Sequence, residues 1–140
     1  MSLDDTVSRY CLAWSSSNAA DRERDLRASC TADVAYMDPL ANVSTLDALL
    51  QHIAGLHGRF PGFKVLPTSG VDGHGGFARF SWRIPLPDGG TMVEGTDFVQ
   101  MSTDGTRIER VVGFFGPLPS LHARGIRLHA PARWCRRPYR

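Results

Sequence analysis

The sequence predicts an α+β domain, helices first and antiparallel strands after, from three observations. Apolar residues recur at steps of three and four in three segments before residue 61, they alternate from residue 63 to 115, and Pro61-Gly62 stands at the change of period. Steps of three and four place side chains on one stripe of a helix, whereas alternation places them on one face of a strand. Helices followed by antiparallel strands pack as a helical layer on one face of a sheet. At 140 residues, with 42% apolar and 21% charged content, the chain has the size and composition of one globular domain able to bury a core.

Leu3, Val7, Tyr10, Cys11 and Trp14 form the first stripe, so residues 3–16 make helix one, which stops in Ser15-Ser16-Ser17-Asn18. Asn18 as N-cap with Asp21 at N3 opens a more polar second helix over about 19–29, with Leu26 and Cys30 inward. Residues 33–38 alternate as a short strand, with Val34, Tyr36 and Asp38 on one face and Asp33, Ala35 and Met37 on the other. Pro39 ends it, having no N–H for a ladder. Ser44, with Asp47 three residues on, resembles a capping box and opens helix three, whose stripe is Leu46, Leu49, Leu50, Ile53, His57 and Phe60. Gly73, Gly75-Gly76, Asp88-Gly89-Gly90 and Asp104-Gly105 then punctuate the alternation as hairpin turns do, giving four strands in a meander. On the second of these strands Ala78, Phe80, Trp82, Ile84 and Leu86 make the inner face. On the third, Val93, Gly95, Asp97, Val99 and Met101 oppose Met92, Glu94, Thr96, Phe98 and Gln100, and neither side is cleanly polar.

The domain is expected over 1–119, followed by a basic tail over 120–140 with little fixed structure. Six Arg and no acid in that tail leave ten basic and fourteen acidic residues before it, so a net charge of +2 overall conceals −4 on the body. Such a body lacks the basic patch that phosphate binding needs, and no nucleic-acid partner is expected. No apolar run is long enough to span a bilayer, and Met1-Ser2-Leu3-Asp4-Asp5 has neither the basic start nor the apolar core of a secretory signal. The expectation is a cytoplasmic protein with no membrane partner. Cys11, Cys30 and Cys135 are odd in number and suit reduced thiols. The five histidines (His52, His57, His74, His122 and His129) show no close ligand spacing, so no metal is expected.

Three residues stand out chemically. Asp97 sits among Val93, Gly95, Val99 and Met101 on its side of a strand; buried there, its carboxyl would resist ionisation and could donate a proton or a hydrogen bond. The mixed alternation leaves open whether that side faces the helices or solvent. Asp38 shares a face with Val34 and Tyr36 and is held by Pro39, although Asp-Pro also opens ordinary turns. Tyr10 lies in the apolar stripe of helix one, where a core tyrosine is the plain reading and its hydroxyl needs a partner. His57 sits mid-stripe, as a core histidine or an acid–base group, and His52 is placed at the solvent edge.

In this order Ser8-Arg9-Tyr10-Cys11-Leu12-Ala13, Tyr36-Met37-Asp38-Pro39-Leu40 and Thr96-Asp97-Phe98 resemble the Arg-Tyr helix, the Asp-Pro strand end and the late aspartate of the bacterial Δ5-3-ketosteroid isomerases. Phe115-Gly116 resembles their closing strand, while the hairpin 102–106 looks about one residue longer. Over residues 3 to about 118 the chain is similar to the nuclear transport factor 2-like (NTF2-like) superfamily, which includes SnoaL-like and ketosteroid-isomerase-like domains. The resemblance implies a cone of three helices on a curved, mostly antiparallel sheet enclosing a pocket for a hydrophobic small molecule. It implies Asp38 as a base moving a proton beside a carbonyl, Tyr10 and a protonated Asp97 as donors to the developing enolate oxygen, and no cofactor. Trp14, Tyr36, His57, Phe80, Trp82 and Phe114 are expected to line the pocket. The outer sheet face, with Phe77 and Met92, is expected to serve a homodimer. Two alternatives stay open: a polyketide-cyclase-like enzyme, whose expected aspartate falls about at Gly113, and a ligand-binding or dimeric interaction module without catalysis.

Overall fold

Caps and periodicity place the helices of the computed structural model, which describes residues 1–121. In α1 (Leu3–Ser15) the Ser2 hydroxyl accepts from the Asp5 N–H while the Asp5 carboxylate accepts from the Ser2 N–H, a reciprocal box that satisfies two of the helix's free donors. α2 (Ala19–Ser29) starts on Asn18, whose side chain accepts from the Asp21 N–H. The chain then runs through β1 (Cys30–Asp38), turns at Pro39-Leu40, and returns antiparallel as β2 (Ala41–Ser44), with Asp38 opposite Ala41. The sequence pattern did not signal this short return strand. It also moves the next cap: Ser44 is held in the ladder opposite Ala35, so Thr45 caps α3 (Leu46–Arg59) by accepting from the Ala48 N–H. Thr45 adopts a φ of 80°, uncommon for a β-branched residue, and its N–H donates to the Val34 carbonyl at 2.9 Å.

Five strands, rather than four, fill residues 63–115: β3 (Leu66–Pro67), β4 (Asp72–His74), β5 (Phe77–Pro85), β6 (Thr91–Met101) and β7 (Ile108–Phe115). The expected first strand divides into β3 and β4, both antiparallel to β5. Together the strands make one curved, open seven-stranded sheet in the order β2-β1-β7-β6-β5-β3, with β4 also on β5. β1 and β7 are the parallel pair in it. That pair closes the architecture, because it seats the strand from the helical half beside the end of the meander. α3 lies against β1 and β2, and α1 against α2 and β3.

The core between helices and sheet includes Val7, Leu26, Val34, Leu49, Ile53 and Val111, all within 2% exposure. On β6 the ambiguity is decided: Gly95, Asp97, Val99 and Met101 are buried, and Phe98 faces out. The tail expected over 120–140 falls, from residue 122 onward, outside the described residues, as do His122, His129 and Cys135. Among the described residues no helix is long and apolar enough to cross a membrane.

Candidate functional site

The inner face of the sheet, α1 and α3 enclose a cavity of about 170 Å³. Trp14, Tyr36, Trp82 and Phe115 supply its aromatic walls, and Tyr10, Asp38, Asp97 and His52 bring polar groups to it. Two carboxyl groups reach one spot through strand register. Asp97 on β6 pairs with Gly113 on β7, and Met37 on β1 pairs with Val112, so Asp97, Gly113 and Asp38 stand abreast across three strands on one face.

Gly113 leaves the space that both acids use. A Cβ built there would lie 2.8 Å from Asp97 Oδ1 and 3.4 Å from the Asp38 Cβ. The position where a cyclase aspartate is expected is therefore crowded by the Asp97 carboxyl on one side and the Asp38 Cβ on the other. Gly95 plays a matching part on β6, since a Cβ there would meet Trp82 Cζ2 at 2.6 Å. Trp82, opposite Gly95 on β5, thereby lies across β6 and donates from Nε1 to Asp97 Oδ1 at 2.9 Å.

The two acids have different surroundings. Asp38 closes β1, where its Oδ1 accepts from the Leu40 and Ala41 N–H groups at 2.7 and 2.8 Å, and its Oδ2 accepts from the Tyr36 hydroxyl. Each of these contacts is donated to a carboxyl oxygen. Asp97 is buried among apolar side chains. Burial drives its carboxyl up to about 7; the Trp82 hydrogen bond opposes that rise, and the nearby Asp38 charge adds to it.

Tyr10 comes from α1, 2% exposed and edge-on to Trp14 and Phe80, with ring centroids 6.1 and 6.5 Å away. Neither its hydroxyl nor the Trp14 Nε1 makes a well-formed hydrogen bond among the described residues, and the two lie near enough for Trp14 to oppose the rise in the Tyr10 pKa. An unsatisfied buried donor costs about 1–3 kcal/mol, so two beside one cavity are groups that a ligand oxygen can satisfy. Burial foremost, then the charge of Asp97, holds the Tyr10 hydroxyl well above its ordinary value, which keeps it a donor. Tyr36 is raised likewise, first by burial and then by Asp38.

Several expected lining residues lie elsewhere. Phe114 points to the outer face, 55% exposed and edge-on to Phe98, because β7 buries Val111 and Gly113, and Phe115 follows them in that alternation to the cavity. Phe80 is packed behind Tyr10 in the core and is not part of the wall. His57 is a structural histidine: its Nε2 bonds the Trp14 carbonyl at 2.7 Å and its ring packs on Phe63. His52, expected at the solvent edge, faces the cavity instead, 6.0 Å from both Trp14 and Tyr36, and burial lowers its pKa against the pull of Asp38. Met92, expected outside, also lines the cavity. His52, Leu56 and Arg59 form a second stripe on α3 at steps of four and three, a signal overshadowed by the longer apolar stripe beside it.

Other polar features are structural. A wider, open depression between α1 and α2 is edged by Arg9, Arg24 and Asp25, whose charges pair with one another. Burial pushes the Cys11 and Cys30 thiols up to about 12, so neither is a ready nucleophile. Among the described residues no three His, Cys, Asp or Glu side chains gather as a metal site would.

The chain matches no protein-family model and no curated protein. Among solved structures it is similar to a protein of the SnoaL-like family from Agrobacterium tumefaciens, provisionally called an isomerase. Identity is 33% over 81% of this chain and 96% of that one, with a TM-score of 0.74. A protein with a ketosteroid isomerase-like fold from Catenulispora acidiphila, in complex with trimethylamine, has 14% identity over 81% of this chain and 86% of its own, at a TM-score of 0.64. A protein from Sinorhizobium meliloti, provisionally called a polyketide cyclase, has 18% identity over 79% and 94%, at 0.62. The last two bear on the fold alone. Three helices on a curved, open seven-stranded sheet make this the cone fold of the NTF2-like superfamily. Within it, the chain belongs to the SnoaL-like family.

Proposed function

We propose that this protein binds a small, enolisable carbonyl compound and moves a proton between carbons beside its carbonyl. The observation that carries this reading is the meeting of Asp38, Asp97 and the unpartnered Tyr10 hydroxyl at one apolar cavity. Asp38 is the base, fixed by two backbone N–H groups and by Tyr36. Tyr10 and neutral Asp97 donate to the oxygen as it gains charge, and Trp14 Nε1 is a further donor within reach of that region. Preorganised donors in a water-poor cavity stabilise an oxyanion far better than donors in water. The two acids also differ in surroundings, Asp97 being buried with its carboxyl raised to about 7 and Asp38 accepting from two backbone N–H groups and Tyr36.

Cyclisation of a polyketide-like chain draws on the same proton transfers, and the provisional names of the Agrobacterium and Sinorhizobium proteins span both activities. No aspartate stands at Gly113, which favours isomerisation as the first activity to assay. We further propose that the protein works in the cytoplasm as a homodimer joined through the outer sheet face, where Phe77, Phe98 and Phe114 are about half exposed.

The test is a titration with 2-naphthol, a planar enolate mimic, following its ionisation by absorbance. Binding with the phenol shifted toward phenolate, weakened at least tenfold in Tyr10→Phe, supports the oxyanion site. Binding that is indifferent to Tyr10, or that leaves the phenol neutral, sinks the catalytic reading and leaves a ligand-binding module.

A further inference from the structure

The cavity has an electrostatic gradient that the proton-transfer reading does not use. At its inner end stand Asp38, Asp97 and Tyr10, and at its rim stands Arg59, an exposed residue in the last turn of α3 whose side chain nonetheless lines the cavity. The Arg59 guanidinium lies over the Phe60 ring, 5.6 Å from its centroid, a contact that holds the planar group at the rim. Among the described residues Arg59 forms no ion pair, as is true also of Arg22, Lys64, Arg83, Arg107 and Arg110, but of these Arg59 is the one that lines the cavity. A cation in the last turn of a helix does complement the helix dipole, but that role does not require the guanidinium to line a cavity.

Size narrows the occupant. A cavity of about 150 Å³ holds benzene, and drug-sized ligands occupy about 300–1,000 Å³. At about 170 Å³ the enclosed part here suits one ring or a small fused pair and is too small for a four-ring body. Tyr10 and Arg59 line the same cavity, so a ligand that fills it meets both. An unpaired guanidinium there, with its fork of donors, is matched by a carboxylate.

We infer that the ligand is a small cyclic carbonyl compound bearing a carboxylate, with the carbonyl at Tyr10 and Asp97 and the carboxylate held by Arg59. This rests on the proton-transfer reading for the orientation of the carbonyl and adds the anionic group and the size limit.

The experiment compares 6-hydroxy-2-naphthoate with its methyl ester, two probes of nearly one shape that differ in charge at the end remote from the phenol. Binding is measured to the full chain and to Arg59→Met at pH 6.0, below the Asp97 value of about 7, and at low salt. The acid is expected to bind at least tenfold tighter than the ester in the wild type, within twofold of it in Arg59→Met, and to lose its advantage as salt rises. Equal affinities in the wild type, or a preference for the acid that survives Arg59→Met, would overturn the inference, and so would a failure of both probes to bind. Ionisation of the bound phenol is read in the same titration: an Arg59-dependent preference with a neutral phenol supports the anionic ligand and removes the proton transfer. An ionised phenol without the preference does the reverse.

Discussion

Asp97 and Phe98 are neighbours in the chain and opposites in environment, and both are inverted. Asp97 is 5% exposed and Phe98 48% exposed. Transfer free energies favour the reverse on each face of β6. The inner inversion is heavily supported: Gly95 and Gly113 leave room for it, and Trp82 supplies its hydrogen bond. The outer one is supported within this chain by an edge contact with Phe114, 6.0 Å between centroids. A fold tolerates such local violations where function or a partner compensates, so the inner face is where chemistry is expected and the outer face is where a second surface is expected.

Removing the base tests the inner face most severely. Asp38→Asn keeps the shape and the backbone acceptor, so the melting temperature is expected to hold while turnover of an enolisable ketone falls on the order of 10²–10⁴-fold. Unchanged turnover would take Asp38 out of the mechanism. Asp97→Ala is expected to lower turnover less.

Asp97 also gives a stability signature. Its carboxyl is raised from 3.8 to about 7, so the folded protein keeps a proton that the unfolded chain has released. Its contribution is therefore fully present below pH 4 and is lost as pH rises through about 7, a difference of roughly 4 kcal/mol. Thermal melts from pH 4 to 8 are expected to show this decline in the wild type and a flatter profile in Asp97→Asn. A wild-type profile already flat across that window would mean that the carboxyl is not held neutral.

Gly113→Ala sharpens the inner side at the smallest structural scale. The new methyl meets Asp97 Oδ1 at 2.8 Å, so the carboxyl must shift. The expected loss is about 1–3 kcal/mol in denaturant melts, with weaker ionisation of bound naphthol. Full retention of both would mean that the acids are not held as tightly as their spacing implies.

The outer face should respond least in stability and most in assembly. Phe114→Glu is expected to change monomer stability by only about 0.5 kcal/mol. Sedimentation is expected to show a dimer in the wild type and a monomer in this variant; a monomeric wild type at micromolar concentration rejects the homodimer.

Much of the fold was legible in the chain. Helix stripes and caps are local: Asn18 capping α2 follows from its own side chain and three following residues, and the order of helices then strands follows from a change in hydrophobic period. Where Ser44 failed as the cap, the cause was non-local, a ladder with Ala35 that no pattern near Ser44 reveals. Phe114 and Phe115 differ in the same way, since a one-residue change of parity exchanges the faces of a strand.

What the sequence alone determined is therefore the α+β class, the three helices with the Asn18 cap of α2, and the short set of residues able to do acid–base chemistry, because each depends on spacing along the chain. Only the tertiary structure decided that Asp97 faces inward beside Asp38, that His52 and Arg59 border the cavity, and that Phe114 does not. Those outcomes come from strand register and from packing across β1, β7, β6 and α3, where residues distant in sequence exclude water from one another and so set which groups are buried, paired or left with a free donor.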